Sequence, residues 1–220
     1  MGSRLPALNR EAFGRSIREM SPEALPEQAV EALYQHYLEL ARWNEKVALI
    51  GPGTAEDALV RHYGEALAAL PLISPAVRQA VDVGSGAGFP GLVLAAARPE
   101  MAMTLIEPRE RKWAFLQAAA RRASLPCRCL DARVANPLPA GLPESIDLLT
   151  VRALKLDAQV LGAIARRLAP QGSVLLWLGE DDPDLPPSLI VGRSLGLAGS
   201  ERRRILELRP AEASLARVEA

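Results

Sequence analysis

VDVGSGAGFPG, from Val81 to Gly91, places four glycines between a short apolar run and an alanine-rich segment. This order predicts a β-strand, a tight turn and a helix. Glycine is needed where the backbone takes a positive φ, or where a ligand approaches more closely than a Cβ allows. The first N–H groups of a helix have no partners within the helix and point towards the turn. We therefore expect a nucleotide-like cofactor at this turn.

Two classes of cofactor fit the glycine turn. Gly86, Gly88 and Gly91 match the G-x-G-x-x-G fingerprint of dinucleotide-binding domains, and Glu107 follows at about the 20-residue distance of a ribose-binding acid. An aspartate two residues before the first glycine, Asp82, extends the match to acidic-x-G-x-G-x-G, the signature of class I S-adenosylmethionine methyltransferases. In those enzymes the loop backbone curves under the methionine end of the cofactor, and the acid orders the loop. We therefore favour S-adenosylmethionine, bound by the loop residues Gly84, Ser85, Gly86 and Gly88.

Length and composition indicate a folded protein without membrane segments. The 220 residues suit one domain with an extension, because domains run to about 100–200 residues. Hydrophobic residues make up 49% of the chain and charged residues 24%, which argues against extensive disorder. No apolar run reaches the roughly 18 residues of a membrane span, and the N-terminus has no signal-peptide core. We expect a cytoplasmic protein.

The charged, cysteine and histidine residues exclude several kinds of site. With 26 basic and 26 acidic side chains the net charge is zero, so any RNA binding must come from local patches. Cys127 and Cys129 are the only cysteines and supply too few ligands for a structural zinc, so no metal is expected. His36 and His62, the only histidines, lie in predicted helices, which gives little support to a nucleophilic triad.

The first part of the chain predicts helices. One helix is expected from about residue 9 to 20 with Asn9 as its N-cap, a longer one over 27–47, and a third that Thr54 caps and that continues to about residue 70. After residue 75, strands are predicted at 80–83, 103–106, 126–130, 146–151, 173–178 and 205–208. Helices are predicted between them at 91–98, 109–123 and 157–168.

Alternating strands and helices predict the α/β class with a mostly parallel sheet. The segment 189–208 has no convincing helix and is expected to close the sheet as an antiparallel hairpin. The fold expected is therefore a Rossmann-like class I S-adenosylmethionine methyltransferase with a helical N-terminal extension. The division expected is an extension over 1–75 and a methyltransferase domain over 76–220.

In an open α/β sheet, ligands bind at the carboxyl ends of the strands. Phe89 follows the first strand and can pack on the cofactor. Glu107 follows the second, where its two carboxylate oxygens can accept both ribose hydroxyls. After the third strand, either Asp131 or the backbone of Val134 and Ala135 can meet the exocyclic amine of adenine, and the sequence does not choose between them.

Basic residues follow two of these strands and precede the last one. Arg152 follows the fourth strand, and because arginine is almost never fully buried unpaired, we expect a phosphate or a carboxylate as its partner. A phosphate-bearing substrate would have to lie at the sheet edge that holds the cofactor. The residues expected to bind RNA are Arg109, Arg111, Lys112, Lys155 and Arg203.

Several segments carry a resemblance to a known family. They are Trp43-Asn44-Glu45-Lys46, Arg61-His62-Tyr63, the run from Asp82 to Gly91, and Arg98-Pro99. On these segments the chain resembles the bacterial small-subunit ribosomal RNA guanine-N7 methyltransferases, also called glucose-inhibited division protein B, over roughly residues 38–208. Family members usually carry Asp-Ser where this chain has Glu65-Ala66, and a lysine between the residues that correspond to Leu178 and Gly179.

The resemblance implies a function and contacts. The substrate would be 16S ribosomal RNA or the small ribosomal subunit. We expect the enzyme to be a monomer. Guanine N7 carries a lone pair at neutral pH and can attack the sulfonium methyl without a general base, so no catalytic acid or base is assigned. The residues implied to contact S-adenosylmethionine are Gly84, Phe89, Val134, Ala135 and Arg152, and the basic turn after Glu107 would face the RNA.

Three alternatives remain open on the sequence. A diverged family member could methylate another RNA or a small molecule. A catalytically silent module could keep the cofactor fold for RNA contact alone. A nicotinamide-dependent dehydrogenase would use the same glycine turn, and binding of S-adenosylhomocysteine separates it from a methyltransferase.

Overall fold

The structure is a computed structural model that describes residues 4–51, 53 and 57–211. Helix α1 spans Arg10–Met20, and the side chain of Asn9 caps it by accepting a hydrogen bond of 2.8 Å from the N–H of Ala12. Helix α2 spans Glu27–Asn44 and ends before residue 47, where the sequence predicted its end. Asn44 ends the helix because its side-chain oxygen accepts the N–H groups of Leu49 and Ile50, both at 2.9 Å, and so turns the chain.

The third predicted helix is irregular. Its proposed cap, Thr54, lies outside the described residues. A π-helical turn, Leu59–Gly64, leads into the short helix α3, Glu65–Leu67, and a 3₁₀ turn follows at Leu70–Leu72. The wide π-helical turn lets two consecutive side chains contact the glycine loop, because the rings of His62 and Tyr63 both lie 4.9 Å from the ring of Phe89.

A seven-stranded sheet forms the centre of the described part of the protein. Its strands are β1 (Gln79–Val83), β2 (Ala102–Ile106), β3 (Arg128–Leu130), β4 (Ile146–Arg152), β5 (Leu168–Leu178), β6 (Leu189–Gly196) and β7 (Arg204–Pro210). The order across the sheet is β3-β2-β1-β4-β5-β7-β6. Strands β1 to β5 are parallel, whereas β7 runs antiparallel to both β5 and β6. The α/β class and the antiparallel C-terminal hairpin predicted from the sequence are confirmed.

Strands β5 and β3 begin at other residues than the sequence predicted. Strand β5 begins at Leu168 rather than at residue 173, because an irregularity in its pairing with β4 allows Leu168 to pair with Ile146 before Ser173 pairs with Leu148. Strand β3 begins at Arg128 rather than at Pro126, since proline has no N–H to donate to a ladder.

Helices cover both faces of the sheet. Helix α4 spans Gly91–Ala97, α5 spans Glu110–Arg122 and α6 spans Ala158–Ala165. One hydrophobic cluster joins the N-terminal helices to α4, α5 and the sheet, and the buried rings of Phe13, Tyr37 and Phe115 belong to it. A second cluster lies between α6 and the other face. Within the residues that the structure describes, no helix is both long and apolar enough to cross a membrane.

Candidate active site

A cavity of about 450 Å³ lies at the carboxyl ends of β1, β2 and β4. The sequence-predicted site residues that line it are Gly84, Ser85, Gly86, Phe89, Glu107, Arg109, Lys112, Val134, Arg152 and Lys155. Four other predicted residues, Gly88, Arg111, Ala135 and Arg203, do not appear in its wall. The topology therefore brings together most of the residues that the sequence placed at strand ends.

The glycine turn approaches the cavity with left-handed backbone at Gly84 (φ +71°) and Gly86 (φ +54°). The N–H groups of Gly84 and Ser85 both donate to the carbonyl of Ile106, at 2.9 and 3.0 Å, so the turn is held against the end of β2. A side chain at Gly86 would project towards the carboxylate of Glu107, with its Cβ 4.0 Å from Oε2. The turn thus presents bare backbone to any ligand in the cavity.

Gly88 has a packing role. Its φ is +85°, and an added Cβ would lie 2.6 Å from Cδ1 of Leu92 and 3.1 Å from Nε2 of His36. Gly88 therefore lies in close contact with α4 and α2, and its contact with the cofactor stays a prediction. Ala135 and Arg111 are exposed at the surface.

Asp82 orders the turn from inside the protein. Its Oδ1 accepts the hydroxyl of Thr150 at 2.6 Å, and its Oδ2 accepts the N–H of Gly91, the first residue of α4, at 3.2 Å. Burial raises the pKa of Asp82 to about 6, against the hydrogen bonds from Thr150, Ser85 and Gly91, which lower it. One carboxylate therefore joins β1, β4 and the start of α4.

Glu107 lies on the other side of the glycine turn from Asp82, and two hydrogen bonds fix the orientation of its carboxylate. Its Oε2 accepts the N–H of Gly86 and its Oε1 accepts the N–H of Arg109, both at 3.0 Å. Each carboxylate oxygen has two lone pairs, so one remains on each for a ligand in the cavity. The pair of backbone bonds holds the carboxylate in one plane, as a bidentate contact with two vicinal hydroxyl groups requires.

Arg152 reaches the cavity from the end of β4. Its Nη2 donates to Oε2 of Glu65 at 2.8 Å and to the backbone carbonyl of Arg61. Burial, with the charge of Arg61, lowers the pKa of Arg152 to about 10. Of the two partners expected from the sequence, the structure supplies a carboxylate, that of Glu65.

Three aromatic side chains at this site, those of His36, Tyr63 and His62, were not predicted from the sequence as site residues. His36 on α2 is fully buried, and burial lowers its pKa to about 4, so its ring is neutral. Because a carbonyl only accepts, Nε2 carries the proton and donates to Ala87 at 2.9 Å, while Nδ1 accepts the hydroxyl of Tyr63 at 2.7 Å. The third side chain is that of His62. Two sequence signals pointed to these residues: the Arg61-His62-Tyr63 segment and the rarity of histidine.

Phe89 packs mainly against these aromatic residues. Its side chain is 6% exposed, and its ring stacks on His62 with an interplanar angle of 22° and makes an edge contact with Tyr63. His62 itself lines the cavity, and burial together with the charges of Arg152 and Arg61 lowers its pKa to about 3. A neutral imidazole ring therefore forms part of the cavity wall.

Metal-ligating groups are not gathered anywhere in the described segments: no three His, Cys, Asp or Glu side chains there are placed to hold an ion. Cys127 and Cys129 are free thiols, and burial raises their pKa values to about 12 and about 11. The cavity wall itself carries backbone donors, carboxylates, the His62 imidazole and several cationic side chains.

The chain is similar to one protein family over most of its length. The family model described as rRNA small subunit methyltransferase G matches residues 29–184. A protein named ribosomal RNA small subunit methyltransferase G from Paramagnetospirillum magneticum is 37% identical over 146 residues, which is 66% of this chain and 68% of that protein. A protein of the same name from Anaeromyxobacter is 34% identical over 180 residues, which is 81% of this chain and 80% of that protein. The match to the protein of the same name from Desulfotalea psychrophila spans 58% of that protein.

Solved structures share the fold at low sequence identity. TrmN from Thermus thermophilus has a TM-score of 0.53 at 21% identity, and the match covers 70% of this chain and 53% of TrmN. A mutant of MtNAS in complex with S-adenosylmethionine has a TM-score of 0.57 at 12% identity, with 82% and 72% of the two chains covered. At these identities the likenesses show a shared fold alone.

Proposed function

Because the chain belongs to the rRNA small subunit methyltransferase G family, we propose that it transfers the methyl group of S-adenosylmethionine to guanine N7 in 16S ribosomal RNA. The observation that carries this proposal is the cavity at the ends of β1, β2 and β4, where the glycine turn and the Glu107 carboxylate face each other. The antiparallel β7 between β5 and β6 and the family membership argue against a nicotinamide-dependent dehydrogenase.

The residues present fit S-adenosylmethionine. Glu107 would accept the two ribose hydroxyls with the lone pairs that its backbone bonds leave, and Val134 would form part of the wall against adenine. Gly84 and Gly86 would let the amino acid end approach the backbone. When bound, the cofactor supplies an electrophilic methyl group on a sulfonium ion.

The residues of the chain act by positioning and by excluding water. Guanine N7 needs no deprotonation, so a general base is not required. His62 is neutral in the cavity wall and would add no charge beside the sulfonium. Leu49 and Ile50, both buried, supply apolar surface at the same wall. The target base has to be unpaired or flipped to enter.

The test is methyl transfer from radiolabelled S-adenosylmethionine to small ribosomal subunits and to naked 16S ribosomal RNA from cells that lack this protein. Mass spectrometry of nuclease digests would map the label. We expect a single guanosine carrying N7-methyl. Label at another base or in another RNA would favour a diverged substrate, and no label from a protein that binds S-adenosylhomocysteine would favour a silent RNA-binding module.

The diverged-substrate alternative has one structural observation in its favour. Family members usually carry a lysine after the fifth strand, whereas here Gly179 is followed by Glu180, Asp181 and Asp182. These acids line a smaller cavity of about 220 Å³ that shares Leu154, Lys155 and Leu156 with the main one. We also propose that the protein works in the cytoplasm as a monomer.

A further inference from the structure

Three arginines converge on one buried carboxylate beside the main cavity. The side chain of Glu65 is 7% exposed, its Oε2 accepts from Arg152 at 2.8 Å, and its Oε1 lies 3.3 Å from Nε of Arg61. Arg203, on the connection between β6 and β7, forms an ion pair with the same Oε1. We call these four residues the Glu65 cluster.

The Glu65 cluster carries more positive than negative charge. One carboxylate faces three guanidinium groups, and the other acid that acts electrostatically on Arg152 is the buried Asp82. Burial is the larger cause that lowers the pKa values of Arg152 and Arg203, and the charge of Arg61 lowers both further. The effect of Arg61 is that of like charges held close together. An anion bound at this place would relieve that repulsion.

The geometry of the cluster suits a phosphate group. A guanidinium carries five N–H donors in a planar fork that matches phosphate oxygens. In the part of the chain that the structure describes, each arginine contacts Glu65 through one nitrogen. The side chains of Arg61 and Arg203 keep 37% and 22% of their surface exposed. Donors therefore remain within reach of a ligand from solvent.

The position of the cluster connects the cavity to the surface. Arg152 lines the cavity, whereas Arg61 and Arg203 lie outside its wall. Glu65 is held in place from the sheet, since Nε1 of Trp177 on β5 donates to its backbone carbonyl at 2.9 Å. An anion that touches Arg61 and Arg203 therefore lies at the outer side of the methyl-transfer site, where an acceptor strand would continue.

We propose that the Glu65 cluster binds a phosphate of the RNA acceptor next to the methylated nucleotide, with Glu65 as the positioning residue. This inference rests on the proposed function for the identity of the acceptor. Arginine suits the role because it binds phosphate through two parallel hydrogen bonds and so fixes the orientation of the strand. The contact supplies register and no sequence information, as phosphate contacts do.

The test compares Arg203→Gln with Arg202→Gln. Arg202 is the adjacent residue, its side chain is 74% exposed and it pairs with Glu180 away from the cluster, which makes it a matched control. Binding of naked 16S ribosomal RNA is measured by fluorescence anisotropy over a range of KCl concentrations, and binding of S-adenosylhomocysteine by calorimetry. Neither measurement requires methyl transfer, so the inference can fail or hold separately from the proposed function.

We expect Arg203→Gln to weaken RNA binding several-fold and to reduce the slope of log K against log[KCl] by about 1. Affinity for S-adenosylhomocysteine should match that of Arg202→Gln. Arg61→Gln, which keeps the backbone carbonyl that Arg152 uses, should reproduce the result.

Three results would overturn the inference. Unchanged salt slopes in both Arg203→Gln and Arg61→Gln would mean that no RNA phosphate binds there. Loss of S-adenosylhomocysteine affinity alone would assign the cluster to the carboxylate of the cofactor. Inorganic phosphate is a separate arm: if it raises the melting temperature of the unmodified protein but RNA binding is insensitive to Arg203→Gln, the ligand is a free phosphate and the RNA contact is wrong.

Discussion

Nε2 of His36 donates a hydrogen bond of 2.9 Å to the carbonyl oxygen of Ala87, across 51 positions of the chain. A helix of the N-terminal part thereby holds the glycine turn that β1 and β2 hold from the other side. Tyr63 completes the connection through its hydroxyl, which donates to Nδ1 of the same ring. The conformation of the turn therefore depends on residues outside the α/β part of the chain.

His36→Phe should weaken both the fold and cofactor binding. An aromatic ring is retained, but the carbonyl of Ala87 and the hydroxyl of Tyr63 lose their buried partner, at a cost of about 1–3 kcal/mol for each unsatisfied group. Urea unfolding and calorimetry with S-adenosylhomocysteine measure the two effects. Tyr63→Phe is the matched control because it removes only the outer bond; equal cofactor affinity in all three proteins would show that the turn needs no support from α2.

Glu107→Ala should lower affinity for S-adenosylhomocysteine by about 1–3 kcal/mol, because the two charge-assisted ribose contacts are lost. Glu107→Gln keeps the shape and one acceptor oxygen for the N–H of Gly86 or Arg109, so its loss should be smaller. Calorimetry at constant pH gives both values. The ribose role of Glu107 is wrong if the alanine variant binds as tightly as the unmodified protein.

Asp82 should make stability depend on pH below neutrality. Its pKa is raised from 3.8 to about 6 by burial, so the folded state holds its proton to higher pH than the unfolded chain. Stability therefore falls as the pH rises from about 4 to 6, by about 3 kcal/mol in total. Asp82→Asn cannot ionise and lacks this loss.

Urea unfolding at pH 4, 5, 6 and 7 tests the effect of Asp82. The stability of Asp82→Asn relative to the unmodified protein should rise with pH across this range and then level off. The altered hydrogen bonds of the asparagine add a cost that does not change with pH, so they do not affect this trend. Replacement of the exposed Asp181 by asparagine provides the control. Parallel curves for Asp82→Asn and the unmodified protein would contradict the prediction.

Gly91→Ala should destabilise the fold by about 1–3 kcal/mol, the usual cost of overpacking. The added Cβ would lie 2.4 Å from Cδ2 of Leu105 and 2.7 Å from Oδ2 of Asp82, so the start of α4 would have to move from the sheet. Gly196→Ala is the control, since nothing lies within 4 Å of its added Cβ. A thermal melt that shows equal losses for both variants would remove the packing role of Gly91.

Local sequence signals were sufficient for the architecture. The glycine run, the cap at Asn9 and the alternation of apolar segments each act within a few residues, because turns, caps and strand faces depend on the conformational preferences of neighbouring residues. The positions of Glu107 and Arg152 followed from the rule that parallel strands end at one edge. The early end of α2 was missed because Asn44 makes side-chain bonds to Leu49 and Ile50 that no periodicity records.

Contacts between residues that are distant in the sequence could not be predicted from the same local signals. The fingerprint accounts for a glycine at position 88 by a ligand, and only the structure shows that Gly88 also packs on Leu92 and His36. Arg203 reads as one basic residue among several, yet it meets Arg61 and Arg152 on Glu65. Turn and strand preferences are set by each residue and its neighbours, whereas these pairings arise when distant elements bury their side chains against one another and must satisfy every buried charge and donor.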